Sequence, residues 1–62
     1  MLERLKKKLV FSLGQTGKKR ALQKLMDIAK RDSSLQVRKE AIFWLGQSND
    51  PDAAKFLEEI LK

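Results

Sequence analysis

The chain says nearly the same thing twice. Laying residues 5–30 over residues 37–62, a shift of 32, aligns 26 pairs, of which nine are identical. These are Lys7/Lys39, Phe11/Phe43, Leu13/Leu45, Gly14/Gly46, Gln15/Gln47, Ala21/Ala53, Leu25/Leu57, Ile28/Ile60 and Lys30/Lys62. Leu5/Val37, Lys6/Arg38, Val10/Ile42 and Thr16/Ser48 are conservative pairs in the same register. A repeat of this length marks a solenoid, in which each unit is one supersecondary element that buries its apolar face against its neighbours. Such folds present extended surfaces, so the repeat points to an interaction module with repeat 1 at 1–32 and repeat 2 at 33–62.

Within each unit the apolar spacing has the period of a helix. Leu2, Leu5, Leu9 and Leu13 form one stripe with Val10 on its flank, and Val37, Ala41 and Leu45 form its counterpart, flanked by Ile42 and Trp44. These two stripes are expected to face the core. Gly14 and Gly46 follow as expected left-handed helix stops. Next come Ala21, Leu25 and Ile28 with Leu22 and Ala29, then Ala53, Leu57 and Ile60 with Phe56 and Leu61. Ala21 and Ala53 would let paired helices approach closely. Ser33 with Gln36 three residues later reads as a capping box. Asp50 reads as an N-cap, Pro51 as the first helical residue, and Asp52 as an acid on the positive end of the helix dipole. The pattern predicts helices near 2–14, 18–30, 35–46 and 51–61, an all-α solenoid of two antiparallel helix pairs.

The segment Asp32–Ser33–Ser34–Leu35–Gln36–Val37–Arg38 followed by Ala41 and Leu45–Gly46 resembles the HEAT repeat. The short unit with its Asp50–Pro51 start to the fourth helix looks most like the compact bacterial HEAT-like class, which includes repeats found in phycobilisome lyases. In the first unit Leu5–Lys6 stands where the second has Val37–Arg38. The resemblance implies structural roles for Asp32 and Arg38, bonding turn to helix and unit to unit. It also implies a scaffold or protein-binding role, with the second helices of stacked units lining a concave face.

Composition narrows the chemistry. The chain has no Cys and no His, which removes disulfides, thiol nucleophiles, the usual zinc sites and imidazole acid–base catalysis. Glu58 and Glu59 are adjacent and diverge on a helix, and the serines have no base to activate them. No Gly-rich phosphate loop exists. No enzyme and no cofactor are expected. With no signal peptide and no run of about 18 apolar residues, a cytoplasmic protein with no membrane partner is the expectation.

Net charge is +6, unevenly spread: ten Lys/Arg against two acids up to residue 31, and four against six after it. Lys18, Lys19 and Arg20 fall where the second unit has its acidic helix start, and cations there oppose the dipole. Free amides plus three cations form a candidate anion site. With Arg4, Lys7 and Lys8 they make an electrostatic contact to nucleic acid or another polyanion the alternative function. No groove-reading motif or base-stacking series accompanies them. A designed or minimised repeat without a natural role would obey the same rules.

Phe11 and Phe43 lie opposite the apolar stripes of their helices, and an exposed aromatic ridge marks a contact surface. Trp44, beside the core stripe, is assigned to core or inter-unit packing. About three repeats are usually needed for stability. Here there are two, and the last helix carries Phe56, Leu57, Ile60 and Leu61 to its end. The chain is therefore expected to be a piece of a longer array or a self-associating homo-oligomer. Phe11, Phe43, Phe56, Leu57, Ile60 and Leu61 are its expected protein interface.

Overall fold

The computed structural model describes residues 2–61 and contains four helices: α1 (Leu2–Thr16), α2 (Lys19–Arg31), α3 (Leu35–Gln47) and α4 (Pro51–Ile60). Met1 and Lys62, the latter the repeat partner of Lys30, lie outside the described residues. No strand occurs among the described residues, so the fold is the all-α one expected, with helix bounds shifted by at most two residues. α3 packs against all three other helices and α2 against both α1 and α4, whereas α1 and α4 do not touch. The result is two layers, α1 beside α3 and α2 beside α4, in a body of 33 × 26 × 15 Å. A single helix with its side chains is about 10–12 Å across. Every helix therefore keeps one face in solvent, and no polar side chain among the described residues is buried.

The helices stop by a device that the repeat duplicates atom for atom. Thr16 Oγ1 donates to the Leu13 carbonyl at 3.0 Å and accepts the Lys18 amide at 3.4 Å. Thirty-two residues on, Ser48 Oγ donates to the Leu45 carbonyl at 2.7 Å and accepts the Asp50 amide at 3.3 Å. The left-handed residue after each hydroxyl is Gly17 (φ 64°) in one unit and Asn49 (φ 56°) in the other, the two types that adopt this conformation most readily. The expected stops at Gly14 and Gly46 are thus corrected: both glycines lie inside helices. The cap of α3 is also shifted by one, although the helix starts at Leu35 as predicted. Its N-cap is Ser34, whose hydroxyl accepts the Val37 amide, and not Ser33 of the expected capping box. α4 starts as predicted, with Pro51 at its first position and the Asp50 carboxylate accepting the amides of Asp52 and Ala53.

The core is a run of small and medium apolar side chains. Val10, Leu22, Leu25, Ala29, Val37, Ala41, Leu45 and Ala53 form one buried cluster, with Ala21 also buried. Complete burial of Leu25, Leu45, Val10 and Val37 contributes about 1.5–3 kcal/mol per side chain relative to exposure. Alanines at 21, 29, 41 and 53 keep the helices close.

The stripe expected to seat α1 does not do so. Leu5 is 64% and Leu9 47% exposed, and Leu2 is exposed as well. Only Val10 of α1 is buried, with Leu13 partly covered. Their repeat counterparts Val37, Ala41 and Leu45 are at most 1% exposed. The physical reason is positional. α3 packs on α2, the helix before it in the chain, and no helix precedes α1 among the described residues.

Gly14 is fixed by a close approach. A Cβ there would lie 2.4 Å from Trp44 Cδ2, whereas one at Gly46 would meet only a Leu57 methyl at 4.0 Å. Replacing an interior helical glycine by alanine normally stabilises by up to about 1 kcal/mol. Gly46→Ala is expected to gain an increment of that size in urea unfolding. Gly14→Ala is expected to lose about 1–3 kcal/mol through overpacking against the indole. Equal effects at the two positions would show that Trp44 does not sit on Gly14.

Candidate protein-interaction surface

Two polar nodes hold the helix pairs together. At the first, Asp32 ends α2; its carboxylate accepts the Ser34 amide at 2.9 Å and pairs with Lys6 of α1 at 3.0 Å. Its backbone carbonyl accepts from Arg38 Nη1 at 3.2 Å, and Ser34 Oγ donates to Glu3 of α1. The turn between the pairs is thereby tied to both α1 and α3. The Ser34 amide, then Lys6 and Arg38, outweigh partial burial and hold the Asp32 carboxyl below its ordinary value.

The second node joins the N-termini of α2 and α4. Lys19 pairs with both Asp50, at 3.4 Å, and Asp52. Burial opposes ionisation of Asp50, but the amides of Ala53 and Asp52 and the Lys19 ammonium outweigh it and lower its pKa. The Asp52 hydrogen bond, with the Coulombic pull of both acids, raises that of Lys19. Of the three cations proposed as an anion site, Lys19 is therefore engaged by acids. Lys18 and Arg20 stand exposed, and Lys18 caps α2 with its backbone alone.

Three of the four aromatic side chains form a strip along the α1–α3 layer. Phe11 is 52% and Phe43 55% exposed, as their positions opposite the stripes required. Trp44 lies between them, edge to face with Phe11 at 5.4 Å and with Phe43 at 5.5 Å. Offset edge-to-face packing of this kind is the favoured geometry for aromatic pairs. Beside the strip runs an open cleft of about 530 Å³ lined by Lys7, Lys8, Phe11, Ser12, Glu40 and Trp44.

The structure separates the six residues assigned to one interface. Phe56 lies in the other layer, in a cleft with Met26 between α2 and α4. Leu57 and Ile60 are half-buried and Leu61 exposed at the end of α4. Sequence reasoning missed the Trp44–Gly14 contact and Lys6 and Lys19 as tethers. The signal for Lys19 was present: a cation at the start of one helix and acids at the equivalent place in the next.

A family model for HEAT repeats matches residues 2–62. The chain belongs to the HEAT-repeat family. No curated protein and no solved structure is significantly similar to it. HEAT repeats generally serve as non-catalytic scaffolds for protein interaction. No helix among the described residues is long and apolar enough to cross a membrane.

The acids and the lysine of these nodes carry opposite pH dependences. Asp32 and Asp50, lowered from 3.8, add stability that is complete above that value and is lost as pH falls through their folded values. Lys19, raised from 10.5, adds stability complete below that value and lost as pH rises past it. The melting temperature is expected to be flat from roughly pH 5 to 9 and to fall on both sides. Asp32→Asn with Asp50→Asn, which keeps capping groups, should flatten the acid limb; an unchanged limb would sink the assignment.

Proposed function

We propose that this HEAT-repeat protein is a non-catalytic scaffold that binds another protein through the Phe11–Trp44–Phe43 strip. The observation that carries the reading is the strip itself. Two phenylalanines half in water, 32 residues apart in sequence, meet a shared tryptophan that is itself anchored against the core. Aromatic residues that remain exposed while ordered by their neighbours are the raw material of interface hot spots. Lys7 and Lys8 beside Phe11, and Lys39 beside Phe43, set the chemistry of the partner. It is a segment offering an apolar side chain to the strip and carboxylates to the lysines. The alternative, a polyanion held by Lys18, Lys19 and Arg20, has less support, because Asp50 and Asp52 already neutralise the central cation.

Selection from displayed peptide libraries, scored by Trp44 fluorescence, tests this reading. Acidic–apolar peptides are expected to shift the emission and to lose at least tenfold in affinity on Phe11→Ser with Phe43→Ser, with helicity by circular dichroism unchanged. Peptides that bind both forms equally, or a selection that returns none, would reject the strip. Duplex DNA binding that weakens steeply with salt and disappears in Lys18→Gln with Arg20→Gln would instead favour the polyanion.

A further inference from the structure

The apolar pattern that joins the two helix pairs recurs at each end of the described chain, where Leu13 and Leu57 pack against the core and the other residues of the pattern are exposed. Inside the chain, Val37, Ala41 and Leu45 of α3 (the inserting residues) share one buried cluster with Leu22, Leu25 and Ala29 of α2 (the receiving residues). Moving the inserting residues back by 32 gives Leu5, Leu9 and Leu13 on α1, where Leu5 and Leu9 face solvent. Moving the receiving residues forward by 32 gives Ala54, Leu57 and Leu61 on α4. All three are apolar; Leu57 is half-buried, Ala54 exposed and Leu61 69% exposed. The chain thus carries both halves of one self-complementary joint.

Charge follows the same register. Lys19 pairs with Asp50 and Asp52 because the starts of α2 and α4 lie side by side. Stacking a second copy on α4 by the same 32-residue step brings its α2 start beside the first copy's α4 start. Lys18 and Arg20 of the second copy then flank Asp50 and Asp52 of the first. Lys18 and Arg20, exposed at the start of α2, become the complement of an acidic helix start.

We propose that a second copy of this chain docks head to tail on the first, Leu5 and Leu9 of one seating on Ala54, Leu57 and Leu61 of the other. This joint goes beyond the scaffold reading and uses a surface apart from the aromatic strip. It is heterologous, so it leaves one face open on each end and propagates as an open stack rather than closing at a dimer.

Sedimentation equilibrium from micromolar to millimolar chain tests it with two surface variants, Leu5→Glu/Leu9→Glu and Ala54→Glu/Leu61→Glu. The mass of the unmodified chain is expected to climb without a plateau. Each variant alone should remain monomeric, yet their mixture should give a one-to-one dimer and nothing larger, since each retains one intact face. Lys18→Glu with Arg20→Glu, which removes cations opposing the dipole and touches no core residue, should raise the association midpoint about tenfold. A monomer at every concentration, a plateau at dimer, or no restoration on mixing overturns the proposal. So does association that survives both end variants but is lost in Phe11→Ser/Phe43→Ser, an outcome that would leave the strip as the contact. Peptide binding at the strip is read separately, so the two surfaces can fail independently.

Discussion

Everything in this molecule is hung on the contact between α2 and α3. It joins the last helix of one pair to the first of the next, through Leu22, Leu25 and Ala29 on one side and Val37, Ala41 and Leu45 on the other. Close packing of such modest side chains is sensitive to single methylene changes, and it sets the spacing of both layers. α1 and α4 each attach to this pair from outside and never meet. The polar tethers are subordinate to it: Lys6–Asp32 brings α1 to the turn before α3, and Lys19–Asp50 ties the start of α2 to that of α4. Partly covered surface pairs of this kind contribute little energy and serve to fix register.

Dependence on one joint explains where the sequence could be read and where it could not. Helix period, the Asp50–Pro51 start and the exposure of Phe11 and Phe43 are local or are set by the repeat register, and the structure carries them. The helix stops were misplaced because glycine is only one route to termination. The hydroxyl of Thr16 or Ser48 ends the hydrogen-bond ladder, and a left-handed residue, Gly17 or Asn49, then turns the chain. Gly14 serves a different purpose, making room for Trp44. That purpose is tertiary and has no local signature. The apolar stripe of α1 failed for a related reason: amphipathicity reports which face wants cover, not whether a neighbour exists to provide it.

The candidate surfaces divide along the same line. The aromatic strip was visible in sequence because both of its phenylalanines recur at one repeat position. Its third member was placed only generally, since Trp44 has Ser12 as its counterpart in the first unit. The end faces could be recognised only by comparing exposure at equivalent positions. Leu9 and Ala41 occupy the same place in the repeat, and one is half in water while the other is sealed.

The absence of contact between α1 and α4 has a kinetic meaning. Each helix pair is a neighbour in sequence or one step removed, so no long loop must close before apolar surface begins to be buried. Chains organised this way have low contact order and fold fast for their stability. Native-state opening should then be graded from the outside inward, with α1 and α4 fraying independently while α2 and α3 exchange their amide protons last. The molecule behaves as a short one-dimensional string, whose middle is reinforced from both sides and whose ends are each reinforced from one.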